Sequence, residues 1–296
     1  MSDQDTSQLA ENAEPFRIAL VQMDPHLGDR AGNRRVILER IAEAARAGAR
    51  LVVFPECALS GYVYDSAEAA LPAAETVPGE TTEAVAALCR QENIYAIVGL
   101  LEHDTASGTL YNSAFVAGPT GLIANYRKCH LPVLGIDRFV GTGDALPVLT
   151  LPFARIGILI CYDVRFPEAA RTLALRGADV LIVPTNWPEG AESAPEFLTR
   201  ARAWENRFYV AACNRVGIEE GTRFIGRSQV VAPDGTFLAQ ADGLSETILY
   251  ADIRPADARR KRLVITPGVF ELDPVGGRRP ELYGDLASPS GPGERS

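Results

Sequence analysis

The chain has 296 residues, 47% of them hydrophobic, and a formal net charge of −9. That length allows one large α/β domain or two ordinary ones, and the apolar share allows a substantial buried core. The acidic balance argues against a nucleic-acid partner, because a phosphate backbone requires a basic face, and no apolar run reaches the ~18 residues of a membrane span.

Residues 1–15 are polar and acidic, without the basic start and apolar core of a secretory signal, so a disordered tail and a cytoplasmic protein are expected. Phe16–Met23 then reads as a short apolar strand. Arg34–Ala47 has helical spacing and stops at Gly48. Leu51–Phe54 is a strand ended by Pro55, Thr81–Glu92 a helix and Tyr95–Leu101 a strand. Tyr111–Ala117 and Leu122–Tyr126 are strands joined by Gly118-Pro119-Thr120-Gly121, a turn cluster suited to a hairpin. The second half repeats the order: Arg155–Ile160 strand, Pro167–Arg176 helix, Val180–Val183 strand, Pro195–Glu205 helix, Phe208–Cys213 strand. A hairpin of Gln229–Ala232 and Thr236–Ala239 around Pro233-Asp234-Gly235 follows. Residues 16–275 read as one domain, and 276–296 as a C-terminal extension expected to be partly disordered, with a Pro/Gly/Ser-rich end from Ser288.

Local strings echo between the halves. Ala-Gly-Ala-Arg-Leu-Val-Val-Phe-Pro at 47–55 matches Arg-Gly-Ala-Asp-Val-Leu-Ile-Val-Pro at 176–184, and Arg17-Ile18-Ala19-Leu20 matches Arg155-Ile156-Gly157-Ile158. An internal duplication follows. If each half has its own sheet, with helices covering one face, the two bare faces bury each other. The expected fold class is therefore α/β, a four-layer α-β-β-α sandwich of two similar halves. The strands around Leu51–Phe54 and Val180–Val183 lack polar alternation, as expected of strands covered on both faces.

Five cysteines (Cys57, Cys89, Cys129, Cys161, Cys213), an odd number without a Cys-x-x-Cys pair, argue against a disulfide framework or a structural zinc. The three histidines sit in unrelated contexts, so no metal is expected. Only two of the 29 basic residues are lysines, Lys128 and Lys261. A chain that otherwise uses arginine keeps lysine where a compact, rotatable ammonium is needed. Lys261 lies in the Arg-Arg-Lys-Arg run at 259–262 and reads as part of a solvated helix face; Lys128 ends a strand.

Three polar residues stand just past apolar strands: Glu56, Lys128 and Cys161. Ligands of open α/β sheets gather beyond the carboxyl ends of strands, so the three could share one pocket. They form a complete chemical set. A glutamate takes a thiol proton, the sulfur attacks a carbonyl carbon, and a lysine stabilises the oxyanion. Cys161 lies at a strand-to-helix turn expected to expose its thiol and favour the thiolate. Cys57 and Cys129 only adjoin Glu56 and Lys128 and read as wall or core residues, and Cys89 and Cys213 as packing. Taken singly, Glu56 could cap a turn and Lys128 could be a surface lysine; the conjunction carries the argument.

Phe54-Pro55-Glu56 with Ser60-Gly61-Tyr62, Tyr126-Arg127-Lys128-Cys129-His130-Leu131, and Ile160-Cys161-Tyr162-Asp163-Val164-Arg165-Phe166-Pro167-Glu168 resemble the glutamate, lysine and nucleophile motifs of the nitrilase (carbon-nitrogen hydrolase) superfamily. Asn186-Trp187-Pro188, the 200–206 run Arg-Ala-Arg-Ala-Trp-Glu-Asn and Gly226-Arg227-Ser228 are also similar to it, over roughly residues 16–270. The resemblance implies the same sandwich, catalytic Glu56, Lys128 and Cys161, an oxyanion hole of Lys128 and the Tyr162 N–H, and no cofactor. It also implies a homodimer or larger homo-oligomer. Many members carry a second glutamate between lysine and nucleophile; the nearest residue here is Asp137, which could equally pair with Arg138 or a turn. Asp163 and Arg165 have the same two readings. Tyr62, Asn186 and Trp187 are candidate substrate-binding residues, although a core or rim place is nearly as expected for the two aromatics. The residues after Cys161 resemble amidase-type branches, so a small amide is the expected substrate, ahead of an N-carbamoyl compound and a nitrile. An inactive scaffold on this fold is the competing non-enzyme reading. A dinucleotide site at Gly141-Thr142-Gly143 lacks the third glycine, and a papain-like protease lacks a separate histidine motif.

Overall fold

The computed structural model describes residues 14–287. Of the tail expected over 1–15, all but Glu14 and Pro15 lies outside the described residues, as does 288–296 of the C-terminal extension. Residues 276–287 are mostly exposed and carry two short 3-10 turns, Pro280–Leu282 and Gly284–Ala287.

In one sheet β1 (Phe16–Gln22), β2 (Ala49–Val53) and β3 (Tyr95–Asp104) run parallel, and β4 (Thr109–Gly118) and β5 (Gly121–Arg127) follow antiparallel. The second repeats this plan with parallel β7 (Arg155–Ile158), β8 (Val180–Thr185) and β9 (Tyr209–Asn214), then antiparallel β12 (Gln229–Val231) and β13 (Phe237–Gln240). The registers of the two copies coincide: Ile18 faces Leu51 as Ile156 faces Val180. The echoed strings are thus equivalent strands.

The last strand of each half does not stay at home. β6 (Val148–Thr150), closing the first half, pairs with β7 of the second sheet; β14 (Thr247–Ile253), closing the second half, pairs with β1 of the first. The expectation of one sheet per half is corrected to a reciprocal exchange. Each exchanged strand caps the free edge of the other half's sheet, which would otherwise present unpaired backbone groups.

Alternate residues of the central strands go to opposite faces. Ile18, Leu20, Leu51 and Val53 join Ile156, Ile158 and Ile182 in the core between the sheets. Ala19, Val21, Val52 and Phe54 face outward onto Ile37 and Ile41 of α1 (Arg30–Arg46) and Val85 and Cys89 of α2 (Glu80–Glu92). The outer face of the second sheet is covered by α3 (Pro167–Leu175) and α4 (Thr199–Asn206). Close approach of α3 needs Gly157 of β7, whose added Cβ would lie 2.9 Å from Leu173. The layers are α-β-β-α.

α1 begins at Arg30, four residues before the expected start, because Asp29 caps it by accepting the Gly32 N–H at 2.9 Å. The helix expected over Pro195–Glu205 opens with a wider π turn, Ala194–Leu198, before α4. Lys261 is not on a solvated helix face. It follows the short helix Pro255–Arg259 and donates to the carbonyls of Asn206 (3.1 Å) and Arg207 (2.9 Å), capping the C-terminus of α4. Burial there lowers its pKa to about 8. Both lysines of the chain therefore hold specific hydrogen bonds.

Candidate active site

Glu56, Lys128 and Cys161 all lie past carboxyl ends of strands, and each is buried. Lys128 extends the β4–β5 ladder by one bond, its N–H donating to the Asn112 carbonyl at 2.8 Å. Glu56 enters a tight turn in which Cys57 takes a φ of +49°. The turn packs against β3 only because residue 99 is glycine: a Cβ there would lie 2.3 Å from the Pro55 carbonyl oxygen and 2.8 Å from Glu56 Cα. Cys161 has a φ of +47° and opens a 3-10 turn, Cys161–Arg165, before α3. A non-glycine residue in the left-handed region is uncommon and held by its surroundings.

Lys128 Nζ lies 2.6 Å from Glu56 Oε1 and 2.6 Å from Asp137 Oδ2. The Asn112 amide donates to the same Glu56 oxygen at 2.7 Å and to Asp137 Oδ1 at 2.8 Å, and the Tyr62 hydroxyl donates to Asp137 Oδ2 at 2.7 Å. Asp137, carried on the 3-10 turn Gly135–Arg138, is thus brought into the cluster; Arg138 turns instead to the carbonyls of Gly135 and Tyr64. Burial raises the Glu56 pKa, with Lys128 pulling it down and Asp137 pushing it up further. Burial also works against the Lys128 ammonium, but the two carboxylates outweigh it and hold the pKa well above the ordinary lysine value. Glu56 Oε2, though buried, has no hydrogen-bond partner.

The expected exposed thiolate is corrected. Cys161 is only 6% exposed, and burial, with the Glu56 charge added, pushes its thiol up to about 12. Lys128, the Thr185 side chain and the Asn186 backbone act in the opposite direction without prevailing. The strand-end rule locates the residue but not its depth. A neutral thiol within the electrostatic reach of a carboxylate that has a free oxygen suits proton transfer better than a standing thiolate.

Asp163 pairs structurally. Its Oδ2 accepts from the Tyr126 hydroxyl (2.8 Å) and the Ile160 N–H (2.9 Å), and its Oδ1 from the His130 N–H (2.8 Å). Arg165 is exposed, while its carbonyl and that of Val164 accept from Arg202 of α4 at 3.2 and 2.9 Å. The 200–206 run therefore clamps the turn that bears Cys161. Tyr162, second residue of that turn, has an N–H without an intrahelical carbonyl.

Tyr62 is buried, and its backbone N–H and that of Val63 donate to Glu219 Oε1 at 2.7 and 2.6 Å. Glu219 ends β10 (Ile218–Glu219), which pairs with β11 (Thr222–Arg223), and is bound by the buried Arg215 at 2.6 Å. Trp187 is buried, its N–H held by the Asn214 side chain at 2.9 Å. Asn186 is buried with neither side-chain amide atom paired. Sequence reasoning missed Asn112, Gly99, Thr185 and Glu219. Asn112 sits inside an apolar strand where a polar residue was the available signal.

A sandwich of this topology, with a carboxylate, an ammonium and a thiol gathered beyond its strand ends, defines a carbon-nitrogen hydrolase. The carbon-nitrogen hydrolase family model matches residues 17–263, and the chain belongs to that family. It is 37% identical to a Pyrococcus abyssi nitrilase over 90% of this chain and 98% of the relative. It is 35% identical to the Homo sapiens omega-amidase over 80% and 88%. Among solved structures an amidase from Nesterenkonia sp. superposes with a TM-score of 0.75 at 29% identity, covering 92% of this chain and 96% of that one. A variant of that amidase carries the acetamide moiety of fluoroacetamide covalently on its active-site cysteine, at a TM-score of 0.73 and 29% identity, covering 90% and 95%. Amidase-type carbon-nitrogen hydrolysis is thus the class of activity.

Proposed function

We propose that the chain hydrolyses a small carboxamide to acid plus ammonia through a thioester on Cys161, with Glu56 as general base and acid. The single observation that carries this reading is the half-used carboxylate. Glu56 Oε1 is tied to Lys128 and Asn112, while Oε2 is buried and bare, in a cluster whose charge reaches the Cys161 thiol. Oε2 takes the thiol proton as sulfur attacks the carbonyl carbon. Lys128 and the Tyr162 N–H hold the oxyanion. Glu56 then gives its proton to nitrogen, the C–N bond breaks and ammonia leaves. Water, deprotonated by Glu56, attacks the thioester; the C–S bond breaks and the proton returns to sulfur. Asp137 balances Lys128, and Asn186 and Trp187 border the acyl group.

Mass spectrometry of the protein mixed with substrate should find an acyl adduct on Cys161 that is absent from Cys161→Ala. A folded Cys161→Ala variant that still turns over would end the reading. Ammonia release across amides, ureido acids and nitriles ranks substrates, with N-carbamoyl compounds as the second candidate and nitriles as the third.

A homodimer fits the outer face of the second sheet. Trp204 and Phe197 of the α4 region and Phe237 of β13 are 44%, 66% and 39% exposed, and the Arg200 guanidinium lies over the Phe237 ring at 5.3 Å. Apolar area of this kind on one face suits a second copy. Sedimentation of Trp204→Asp at several concentrations tests it: the variant should run as monomer where the native chain does not.

A further inference from the structure

We infer that Asn112 is a positioning residue that decides which oxygen of Glu56 acts as the base. The inference rests on the proposed role of Glu56 and goes past it. Asn112 is fully buried near the start of β4. Its single NH2 group uses one hydrogen on Glu56 Oε1 at 2.7 Å and the other on Asp137 Oδ1 at 2.8 Å. The amide oxygen is not idle either, since it accepts the Cys57 thiol at 3.6 Å, which fixes the amide against flipping. Its backbone carbonyl holds the Lys128 N–H at 2.8 Å. One residue therefore touches the base, the second carboxylate and the strand end carrying the ammonium.

The consequence is chemical. Glu56 and Asp137 share one ammonium, so the cluster carries an excess negative charge that only neutral donors can relieve without adding a second cation. A carboxylate free to rotate presents either oxygen to the thiol. Two donors on Oε1, from Lys128 and Asn112, leave Oε2 as the basic lobe. Removing the amide leaves Lys128 alone to hold Oε1, which loosens the rotation, and takes away a bond that favours the ionised carboxylate. The first loss misaims the base, the second moves its ionisation to higher pH, and neither removes a group that touches substrate.

The test compares pH profiles of native protein, Asn112→Ala and Asn112→Asp, with circular dichroism as a check on folding. In Asn112→Ala we expect kcat to fall at least about tenfold with KM within about threefold, because a general base contributes through the transition state. The acid limb of kcat/KM should move to higher pH by about half a unit or more. Asn112→Asp, nearly identical in shape, replaces the donor by a third carboxylate and should shift the limb further still. Should Asn112→Ala not fold, the isosteric Asn112→Asp decides alone. A folded variant with an unmoved acid limb, or kcat within about twofold of native, overturns the inference. Trapping of the native acyl adduct on Cys161 is run alongside: if it fails, the Glu56–Cys161 reading falls, whereas a trapped adduct with an unmoved limb sinks only the role of Asn112.

Discussion

His130 and Asp163 are joined twice through one oxygen: the His130 backbone N–H and its ring Nδ1 lie 2.8 and 2.7 Å from Asp163 Oδ1. The pair fastens the segment after Lys128 to the turn that bears Cys161. The ring is stacked on Phe166, centroids 3.8 Å apart, one residue before α3.

Asp163→Ala leaves donors of His130, Tyr126 and Ile160 without their shared acceptor. Loss of such a buried network should lower unfolding free energy by about 3–5 kcal/mol. Asp163→Asn keeps the shape but presents an NH2 to at least one donor, and should also destabilise. Urea unfolding against Cys161→Ala as control checks this. Equal midpoints for Asp163→Ala and the native chain would contradict the tie.

The depth of Cys161 fixes a pH behaviour. Its thiol, held up to about 12, stays protonated across the neutral range, while the raised pKa of Glu56, in its proposed role as base, should set the acid limb above the ordinary carboxylate range. Activity should rise as pH climbs through the Glu56 pKa and then stay level, with no second rise where an ordinary thiol ionises. Iodoacetamide labelling of Cys161 should likewise not saturate near pH 8 or 9. Stability has a definite sign too. The folded thiol pKa exceeds the unfolded one, so the contribution is complete below the ordinary thiol value and lost as pH rises toward 12. Native protein should lose stability over that window relative to Cys161→Ala; a parallel pair of curves would refute the assignment.

The strand ends, the duplication and the three motif residues were legible because each leaves a pattern in a short window: an apolar run, then one polar residue. The exchange of β6 and β14 was not, since β6 has three residues and pairing partners on another half leave no local mark. Asp137 stayed open because a loop has no periodicity to fix its register, and only the fold brings it within 2.6 Å of Lys128. Cys161 was placed correctly and its ionisation wrongly: a turn tells where a side chain starts, and burial is a property of everything packed around it. Lys261 was misread for the same reason.

Lys128 is the only cation bonded to either carboxylate among the described residues of this cluster. Lys128→Met should leave Glu56 and Asp137 facing each other without it, forcing proton uptake and costing about 3–5 kcal/mol of stability at neutral pH. Part of that loss should return on acidification, as one carboxylate takes a proton. Lys128→Arg keeps the charge but brings a broad planar fork into a space filled by a point charge, and should cut kcat by at least about 100-fold. Denaturation of Lys128→Met at pH 5 and 8, with steady-state rates for Lys128→Arg, checks both halves. Near-native kinetics in Lys128→Arg would remove the ammonium from the reaction.

Gly99 offers a test that touches no functional side chain. Its Cβ would lie 2.3 Å from the Pro55 carbonyl oxygen, 2.6 Å from the Cys57 nitrogen and 2.8 Å from Glu56 Cα, all backbone atoms. Backbone cannot swing aside as a side chain can, so Gly99→Ala must push the Glu56 turn off β3. Overpacking of this kind costs about 1–3 kcal/mol. The larger effect should fall on rate, because a shift near 1 Å in a catalytic group can cost about 100-fold. Gly108 is the control: it has a φ of +70° with nothing within 4 Å of an added Cβ, so Gly108→Ala strains only its own hairpin, by about 1 kcal/mol, and should leave kcat unchanged. Thermal melts and amide hydrolysis rates on the two variants separate the effects. If Gly99→Ala melts lower yet turns over at the native rate, the Glu56 carboxylate does not depend on the position of its own turn, and the base is some other group.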